Sequence, residues 1–271
     1  MTRVGIIGCG TIGTALAHAL ERDYHSHAKI VAIADREPAA ARTLQRRLTA
    51  HPAIVSIPDV IRRSQLVIEA AAVSVAARVA QLALAADRDV LIMSSGGLLA
   101  GTAWQRAAAR SRGHLYVPSG GLCGLDGVKA FAVGTIRRIR LTTRKPPRGL
   151  LSAPFVQRKR FALARLTGPR TIFEGSPQQA IRAFPQNTNV AATMLLAALT
   201  GRRRVAARVR VVADPTITRN IHELEIEGDC GRLQCRMESR PSALNPKTSE
   251  IAVRSALATL RQLFDPVRIG T

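Results

Sequence analysis

The stretch that decides the fold lies near the N-terminus and reads Val4-Gly5-Ile6-Ile7-Gly8-Cys9-Gly10-Thr11-Ile12-Gly13. Its first half is a short apolar run of the kind that forms a buried parallel strand. Gly8, Gly10 and Gly13 then follow with the spacing G-x-G-x-x-G. The first glycine permits a tight turn, the second lets a pyrophosphate approach the backbone, and the third lets the next helix pack closely. The stretch therefore predicts a dinucleotide-binding strand, turn and helix.

A glycine-rich turn between a strand and a helix can also occur without binding a ligand. The residues around this turn favour dinucleotide binding instead. A helix beginning after the turn would point its free N–H groups and its positive dipole end at the phosphates. A second apolar strand ends in Asp35, ~20 residues further on, where an acidic side chain binds the ribose hydroxyls. Asp35 favours NAD, whereas Arg36 beside it can accept a 2′-phosphate, so NADP stays open. The predicted cofactor-binding residues here are Gly8, Gly10, Thr11, Ile12, Gly13, Asp35 and Arg36.

Composition narrows the class of protein. The chain has 271 residues, of which 46% are hydrophobic, enough for one large or two modest folded domains. No apolar run approaches the ~18–20 residues of a membrane span, and the N-terminus carries no signal-peptide pattern. We therefore expect a cytoplasmic protein without a membrane partner. The four cysteines lack the ligand spacing of a zinc site, so no metal is expected.

The net charge of +22 raises the question of a nucleic-acid partner. Arginine supplies most of this charge and is spread over many segments, while aromatic residues make up only 3% of the chain. The chain therefore has few aromatic side chains on which the bases of a single-stranded nucleic acid could stack. We interpret the charge as a solvated surface that can steer anionic ligands, and we expect no specific nucleic-acid partner.

Strands and helices alternate through the first part of the chain, which predicts an N-terminal Rossmann domain, a doubly wound parallel sheet, over residues 1–120. The pattern then changes to alternating segments over 131–143 and 206–213, and to a hairpin around Gly228–Gly231. These predict a second α+β domain over 121–240 with an open, mainly antiparallel sheet. Residues 144–160 hold three prolines and many cations and are predicted to form a loop. Residues 241–271 hold a last helix, expected to return to the Rossmann domain.

Four segments contain clusters of polar residues that do not fit the apolar patterns of a protein core. They are residues 118–126, 184–189, 214–223 and 242–249. Each has a simpler structural interpretation, as an interdomain linker, a helix start or a structural histidine. Among them His222 carries the side chain best suited to exchange protons near neutral pH.

In these clusters the chain resembles the L-aspartate dehydrogenase family. The resemblance extends over essentially the whole length of the chain. It rests on Gly8–Gly13, here named the glycine turn, and on Pro118-Ser119-Gly120, Gly124-Leu125-Asp126, Lys145-Pro146-Pro147, Phe184-Pro185, Asn187, Asn189-Val190-Ala191-Ala192, Arg219-Asn220, His222-Glu223 and Asn245-Pro246-Lys247-Thr248-Ser249. Gly121 and Cys123 stand where the family pattern has alanines.

The resemblance implies NAD(P)-dependent oxidation of L-aspartate to iminoaspartate, which feeds NAD biosynthesis or hydrolyses to oxaloacetate and ammonia. It implies that His222 is the active-site acid/base, that Cys123 and Asn189 contact the cofactor, and that the enzyme is a homodimer. We expect the cofactor to lie across the first sheet with its ring end at the imidazole of His222. Asn187, Arg219 and Asn220 are the candidate substrate-binding residues, and Lys145 and Ser94–Gly97 are weaker ones.

Two other interpretations stay open at this point. One is a related two-domain Rossmann dehydrogenase or reductase acting on homoserine or on a cyclic dicarboxylate imine. The other is a non-enzymatic protein that senses dinucleotides or binds nucleic acid.

Overall fold

The computed structural model describes residues 1–185, 189–199, 205–240 and 249–270. The chain divides into two compact units. Unit 1 comprises Met1–Pro118 and Val253–Arg268, and unit 2 comprises Ser119–Ala252 and Ile269–Thr271. The boundaries expected from the sequence fall after residues 120 and 240.

Unit 1 contains β1 (Thr2–Ile7), α1 (Thr11–Asp23), β2 (Ala28–Ala34), α2 (Pro38–Arg47), β3 (Ala53–Ile54), α3 (Ile57–Arg63), β4 (Leu66–Glu69), α4 (Val73–Ala85), β5 (Asp89–Ile92), a 3₁₀ helix (Ser95–Ala100), α5 (Ala103–Ala108) and β6 (Leu115–Tyr116). Its strands form a six-stranded parallel sheet in the order β3-β2-β1-β4-β5-β6. This is the strand order of the Rossmann fold, as predicted. The central strands are buried because helices cover both faces of such a sheet.

Unit 2 contains α6 (Leu125–Val133), β7 (Ile136–Lys145), α7 (Pro154–Lys159), β8 (Arg170–Gly175), α8 (Pro177–Ala183), α9 (Asn189–Ala198), β9 (Ala207–Ala213), β10 (Asn220–Gly228) and β11 (Gly231–Ser239). Its strands form a five-stranded sheet in the order β11-β10-β7-β9-β8. Three of the strand pairs are antiparallel and β7 pairs with β9 in parallel. The predicted α+β class with a mainly antiparallel sheet is confirmed. The last helix is α10 (Glu250–Phe264), whose residues from Val253 onward belong to unit 1.

Two local predictions in unit 2 are wrong. The strand predicted over 131–143 begins only at Ile136, because Leu125–Val133 forms α6. Val128, Phe131 and Ala132 occur at helical spacing and are buried in the core of this unit. The segment 144–160 is not simply a loop: β7 continues to Lys145, and α7 follows with a proline in its first turn. Three apolar side chains anchor the segment in the core, namely Leu150, Ala153 and Val156.

The two faces of the five-stranded sheet differ in chemistry. On the outer face, arginines pair with glutamates across strands, as Arg138 Nη2 does with Glu227 Oε1 at 2.6 Å. The inner face is apolar over most of its length and carries Ile139, Leu141, Leu224, Ile226, Val209 and Val211 in the core. At one end this inner face becomes polar, since Thr143, Lys145, Asn220 and His222 take the next positions and are also buried. That end is the candidate site of unit 2.

No helix in the described parts of the chain is long and apolar enough to cross a membrane.

Candidate active site

The glycine turn of unit 1 has the geometry that its spacing predicts. Gly8 has φ of +100°, and a Cβ there would lie 2.5 Å from the carbonyl carbon and oxygen of Ala70. A Cβ at Gly13 would collide with the carbonyl oxygen of Gly8. At Gly10, in contrast, a Cβ would meet no atom within 4 Å. Gly8 and Gly13 are therefore required by the protein's own packing, whereas Gly10 leaves open space in which a ligand can reach the backbone.

The groups beside the turn suit a dinucleotide. Helix α1 begins at Thr11 without a side-chain cap, so the N–H groups of its first turn, including that of Ile12, are suited to a phosphate. Asp35 accepts hydrogen bonds from the Cys9 amide at 2.6 Å and the Glu37 amide at 2.8 Å. These bonds hold the carboxylate against the glycine turn and leave lone pairs on both oxygens for ribose hydroxyls. NAD or NADP therefore fits the residues present.

Arg36 and Cys9 play smaller parts at this turn. The Arg36 side chain is exposed, with its Nε 3.6 Å from Glu37 Oε1, so its guanidinium is accessible to a 2′-phosphate. Burial, and secondly the charge of Asp35, raise the pKa of the Cys9 thiol to about 12. That thiol is therefore protonated and unreactive at working pH.

Glu69, the last residue of β4, is a buried acidic residue that the sequence patterns did not single out. Its side chain is fully buried and accepts hydrogen bonds from the amides of Ala71, at 2.9 Å, and Ser94, at 3.0 Å. It thereby ties together the loops that follow β4 and β5, on the edge of the sheet where Rossmann folds bind ligands. Burial raises the pKa of this carboxyl although these hydrogen bonds oppose the shift. An acidic residue inside an otherwise apolar strand was the available signal.

His222 lies on β10 at the polar end of the inner face, and only 5% of its surface is exposed. It pairs with Thr143 of β7 in the sheet, and a hydrogen bond of 3.1 Å joins Thr143 Oγ1 to His222 Nδ1. The other edge of the ring faces Gly121: a Cβ there would lie 3.2 Å from Cδ2 and 3.4 Å from Nε2. The same point lies 3.7 Å from Ser249 Oγ. Nδ1 is thus engaged by Thr143, and Nε2 is the ring nitrogen on the edge that faces Gly121.

Lys145, only a weaker candidate from the sequence, is part of this site. It follows Thr143 by two residues on β7, so both side chains emerge on the face that carries His222. Burial lowers the pKa of Lys145 to about 8. Burial, and secondly the positive charge of Lys145, lower the pKa of His222 to about 3. His222 is consequently neutral at working pH, and Lys145 changes charge in mildly alkaline solution.

The other predicted residues take different positions in unit 2. Asn220 is buried two residues before His222 on the same face of β10, whereas Arg219 is exposed just outside the strand. Asn189 is the first residue of α9 and is half-buried. Cys123 is half-buried in the loop before α6. Asn187 lies outside the described residues, as do Asn245–Thr248 of the family pattern.

Within the described parts of the chain, no group of three or more His, Cys, Asp or Glu side chains could hold a metal ion.

Two family models and several curated relatives match this chain. The family model described as "Aspartate dehydrogenase, C-terminal" matches residues 126–263, and the one described as "Homoserine dehydrogenase, NAD binding domain" matches residues 8–118. The L-aspartate dehydrogenase of Methanocella arvoryzae is 40% identical, and that of Methanosarcina barkeri 38%; each alignment covers 100% of both chains.

The chain belongs to the L-aspartate dehydrogenase family. The resemblance found in the sequence is thereby confirmed, and so is an oxidoreductase that uses NAD or NADP. The crystal structure of aspartate dehydrogenase from Thermotoga maritima matches with a TM-score of 0.73, covering 100% of both chains at 24% identity. At that identity the match supports the fold.

The other interpretations of the sequence receive no support. The homoserine dehydrogenase model matches only the cofactor-binding part of the chain, so it does not bear on the substrate.

Proposed function

We propose that this enzyme oxidises L-aspartate to iminoaspartate with NAD or NADP, and that the product feeds NAD biosynthesis or hydrolyses to oxaloacetate and ammonia. Membership of the family supports the substrate. The observation that carries the proposal is the buried group formed by His222, Thr143 and Lys145 at the polar end of an otherwise apolar sheet face. Such a group is costly to bury, which is typical of a functional site.

The two units have separate tasks in this proposal. In unit 1, Gly8, Gly10 and Gly13 with the start of α1 hold the pyrophosphate, and Asp35 holds the ribose. When bound, NAD or NADP accepts a hydride from the substrate Cα, which is chemistry that no side chain supplies. Unit 2 binds the amino acid and transfers protons to and from it. Arg36 permits NADP as well as NAD.

His222 is the proposed acid/base. The hydrogen bond between Nδ1 and Thr143 orients the ring, so Nε2 receives a proton from the substrate nitrogen or from the water that attacks the imine. The imidazole is neutral before substrate binds because its pKa is about 3. The negative charge of a bound dicarboxylate opposes the positive charge of Lys145. Substrate binding therefore raises the pKa of His222 and makes it a stronger base when a base is needed.

Lys145 has an electrostatic role in the same site. Below pH 8 its ammonium attracts a substrate carboxylate but also weakens His222 as a base. Above pH 8 the ammonium loses its proton, and the imidazole accepts protons more readily. Oxidation of L-aspartate is therefore expected to accelerate in alkaline solution. Asn220, which is buried on the same face as His222, is a proposed substrate contact, and Asn187, Asn189, Arg219 and Cys123 remain proposed contacts of substrate or cofactor.

The test replaces the imidazole and follows formation of NADH or NADPH from L-aspartate. His222→Ala is expected to lower kcat/KM by a factor of about 10² to 10⁴, the usual contribution of a general acid/base. His25→Ala, at an exposed position, is the matched control and should retain full activity. Circular dichroism and thermal unfolding should show that both variants are folded. A folded His222→Ala enzyme with undiminished turnover would remove the proposal.

From the resemblance we also infer that the enzyme is a homodimer, and from the composition and sequence patterns that it works in the cytoplasm without a nucleic-acid or membrane partner. Light scattering coupled to size-exclusion chromatography measures the first of these: the expected mass is twice that of the chain.

A further inference from the structure

Two thiols of unit 2 lie side by side near the proposed active site. Cys235 of β11 alternates with the exposed Gln234 and Arg236, so its side chain is on the inner face of the sheet, where it packs against the core. A Cβ at Gly124 would lie 2.5 Å from Cys235 Sγ and 3.6 Å from Cys235 Cβ. Cys123 immediately precedes Gly124 in the chain, and the two thiols are close enough for Cys235 to raise the pKa of Cys123.

The segment that carries Cys123, residues 119–124 and here named the glycine loop, also contacts His222. Gly121 of this loop lies against the Cδ2–Nε2 edge of His222 on β10, while Gly124 lies against Cys235 on the adjacent strand β11. Gly124 has φ of +74°, a conformation that favours glycine and brings the backbone close to the sheet. The loop therefore crosses both strands and is held at each by one close approach.

We propose that Cys123 and Cys235 form a reversible disulfide that immobilises the glycine loop beside His222 and inhibits the enzyme. The inhibition rests on the proposed function, whereas formation of the bond does not. Catalytic groups tolerate little displacement, since an error of about 1 Å can lower a rate ~10²-fold. A covalent link two residues from Gly121 prevents the loop from adjusting to substrate and cofactor.

The oxidation requires a two-electron oxidant, for which hydrogen peroxide or a disulfide such as oxidised glutathione serves. With peroxide, one thiolate attacks an oxygen and becomes a sulfenic acid while hydroxide leaves. The second thiol then displaces water from that sulfur, so two S–H bonds and one O–O bond are replaced by one S–S bond and two molecules of water. With glutathione disulfide, two exchange steps transfer the electrons and release two molecules of glutathione.

The environment of the pair predicts when the bond forms. Burial, and secondly the neighbouring Cys235, raise the pKa of the Cys123 thiol. Because the thiolate is the attacking species, oxidation should be slow at neutral pH and faster as the solution becomes more alkaline.

The experiment treats the reduced full-length enzyme with hydrogen peroxide or oxidised glutathione and maps disulfides by peptide mass spectrometry without reduction. We expect a linked peptide pair containing Cys123 and Cys235, and slower hydrogen–deuterium exchange in the glycine loop. L-aspartate oxidation should fall by about tenfold or more and return on addition of dithiothreitol. Cys235→Ser should show none of these responses, while Cys230→Ser, at an exposed position in the β10–β11 turn, should respond like the unmodified chain.

Each contrary result has a definite meaning. Oxidation that modifies Cys230 but leaves Cys123 and Cys235 unlinked overturns the inference, and so does a linked pair with unchanged loop exchange and unchanged activity. If the reduced enzyme does not oxidise L-aspartate at all, the proposed function fails. In that case the mapped bond and the exchange of the glycine loop still decide whether the disulfide immobilises the loop.

Discussion

The glycine turn of unit 1 and the His222 site of unit 2 solve different physical problems. In the proposed function the turn binds its ligand with backbone N–H groups, and Gly10 contributes open space, since a Cβ there would meet no atom within 4 Å. The His222 site depends on side chains from two strands, and it buries one titratable cation beside an imidazole. The first site costs the fold little, whereas the second carries desolvated polar groups that oppose folding.

Stability and function therefore conflict at the His222 site but not at Gly10. A substitution at Gly10 should affect the cofactor and leave the fold unchanged. A substitution at Lys145 should affect the chemistry and at the same time stabilise the fold. Variants at each site can test both contrasts.

The largest expected effect on the free energy of unfolding is at Lys145. Its pKa of about 8 lies below the ordinary 10.5, so between these values the unfolded chain binds more protons and the stability of the folded enzyme rises with pH. Below pH 8 the buried ammonium costs on the order of 3 kcal/mol. Lys145→Met should therefore be more stable than the unmodified enzyme at pH 7 by up to this amount, with the difference shrinking toward pH 10.5. Urea unfolding of both proteins across this range measures it.

The same pair of proteins tests the electrostatic role of Lys145 in the reaction. The pH profile of kcat/KM for the unmodified enzyme should contain a rise with an apparent pKa near 8, and that rise should be absent from Lys145→Met. A stability difference that does not change between pH 8 and 10.5 would show that Lys145 is not a buried titrating cation.

The next effect is at the glycine turn. Gly10→Val should weaken binding of NADH by about 100-fold, a loss of about 3 kcal/mol, because the new side chain fills the space of the ligand. Its thermal stability should be unchanged, since nothing in the protein meets the new Cβ. Gly13→Ala is the contrasting variant and should lower the melting temperature, because its Cβ collides with the carbonyl of Gly8. Fluorescence titration and calorimetry give the two readouts, and equal destabilisation by both variants would remove the distinction.

The smallest effect is expected at Gly121. An added Cβ would lie 3.2 Å from His222 Cδ2, which is tight but requires the ring to move only by a few tenths of an ångström. Gly121→Ala, which restores the residue of the family pattern, should change kcat by no more than about threefold, or roughly 0.7 kcal/mol. Steady-state kinetics test this. A loss comparable to that of His222→Ala would mean that the ring cannot adjust at all.

Sequence patterns predicted the two sites to different extents, for a physical reason. The glycine turn is a local motif, so the spacing of Gly8, Gly10 and Gly13 and the following Asp35 were sufficient to predict its geometry. The helix Leu125–Val133 was missed because it is short and contains a glycine, and because the alternating pattern of the following strand was extended back over its last three residues.

The group around His222 could be predicted only through the resemblance. It forms when β7 and β10 pair across 79 positions of sequence, and no local pattern encodes that register. The importance of Lys145 was underestimated for the same reason, since its burial is a property of the folded sheet. Glu69 was overlooked because its apolar neighbours dominated the strand pattern, although a carboxylate among them was itself the signal.

The most direct test of the central claim is a parallel titration with NADH of the folded His222→Ala and Gly10→Val enzymes, each also assayed for L-aspartate oxidation. The account predicts that His222→Ala binds NADH as tightly as the unmodified enzyme while its turnover collapses, and that Gly10→Val loses affinity for NADH. If His222→Ala loses NADH affinity as severely as Gly10→Val but keeps its turnover at saturating cofactor, His222 is not the proton-transfer group and the division of tasks between the two units is contradicted.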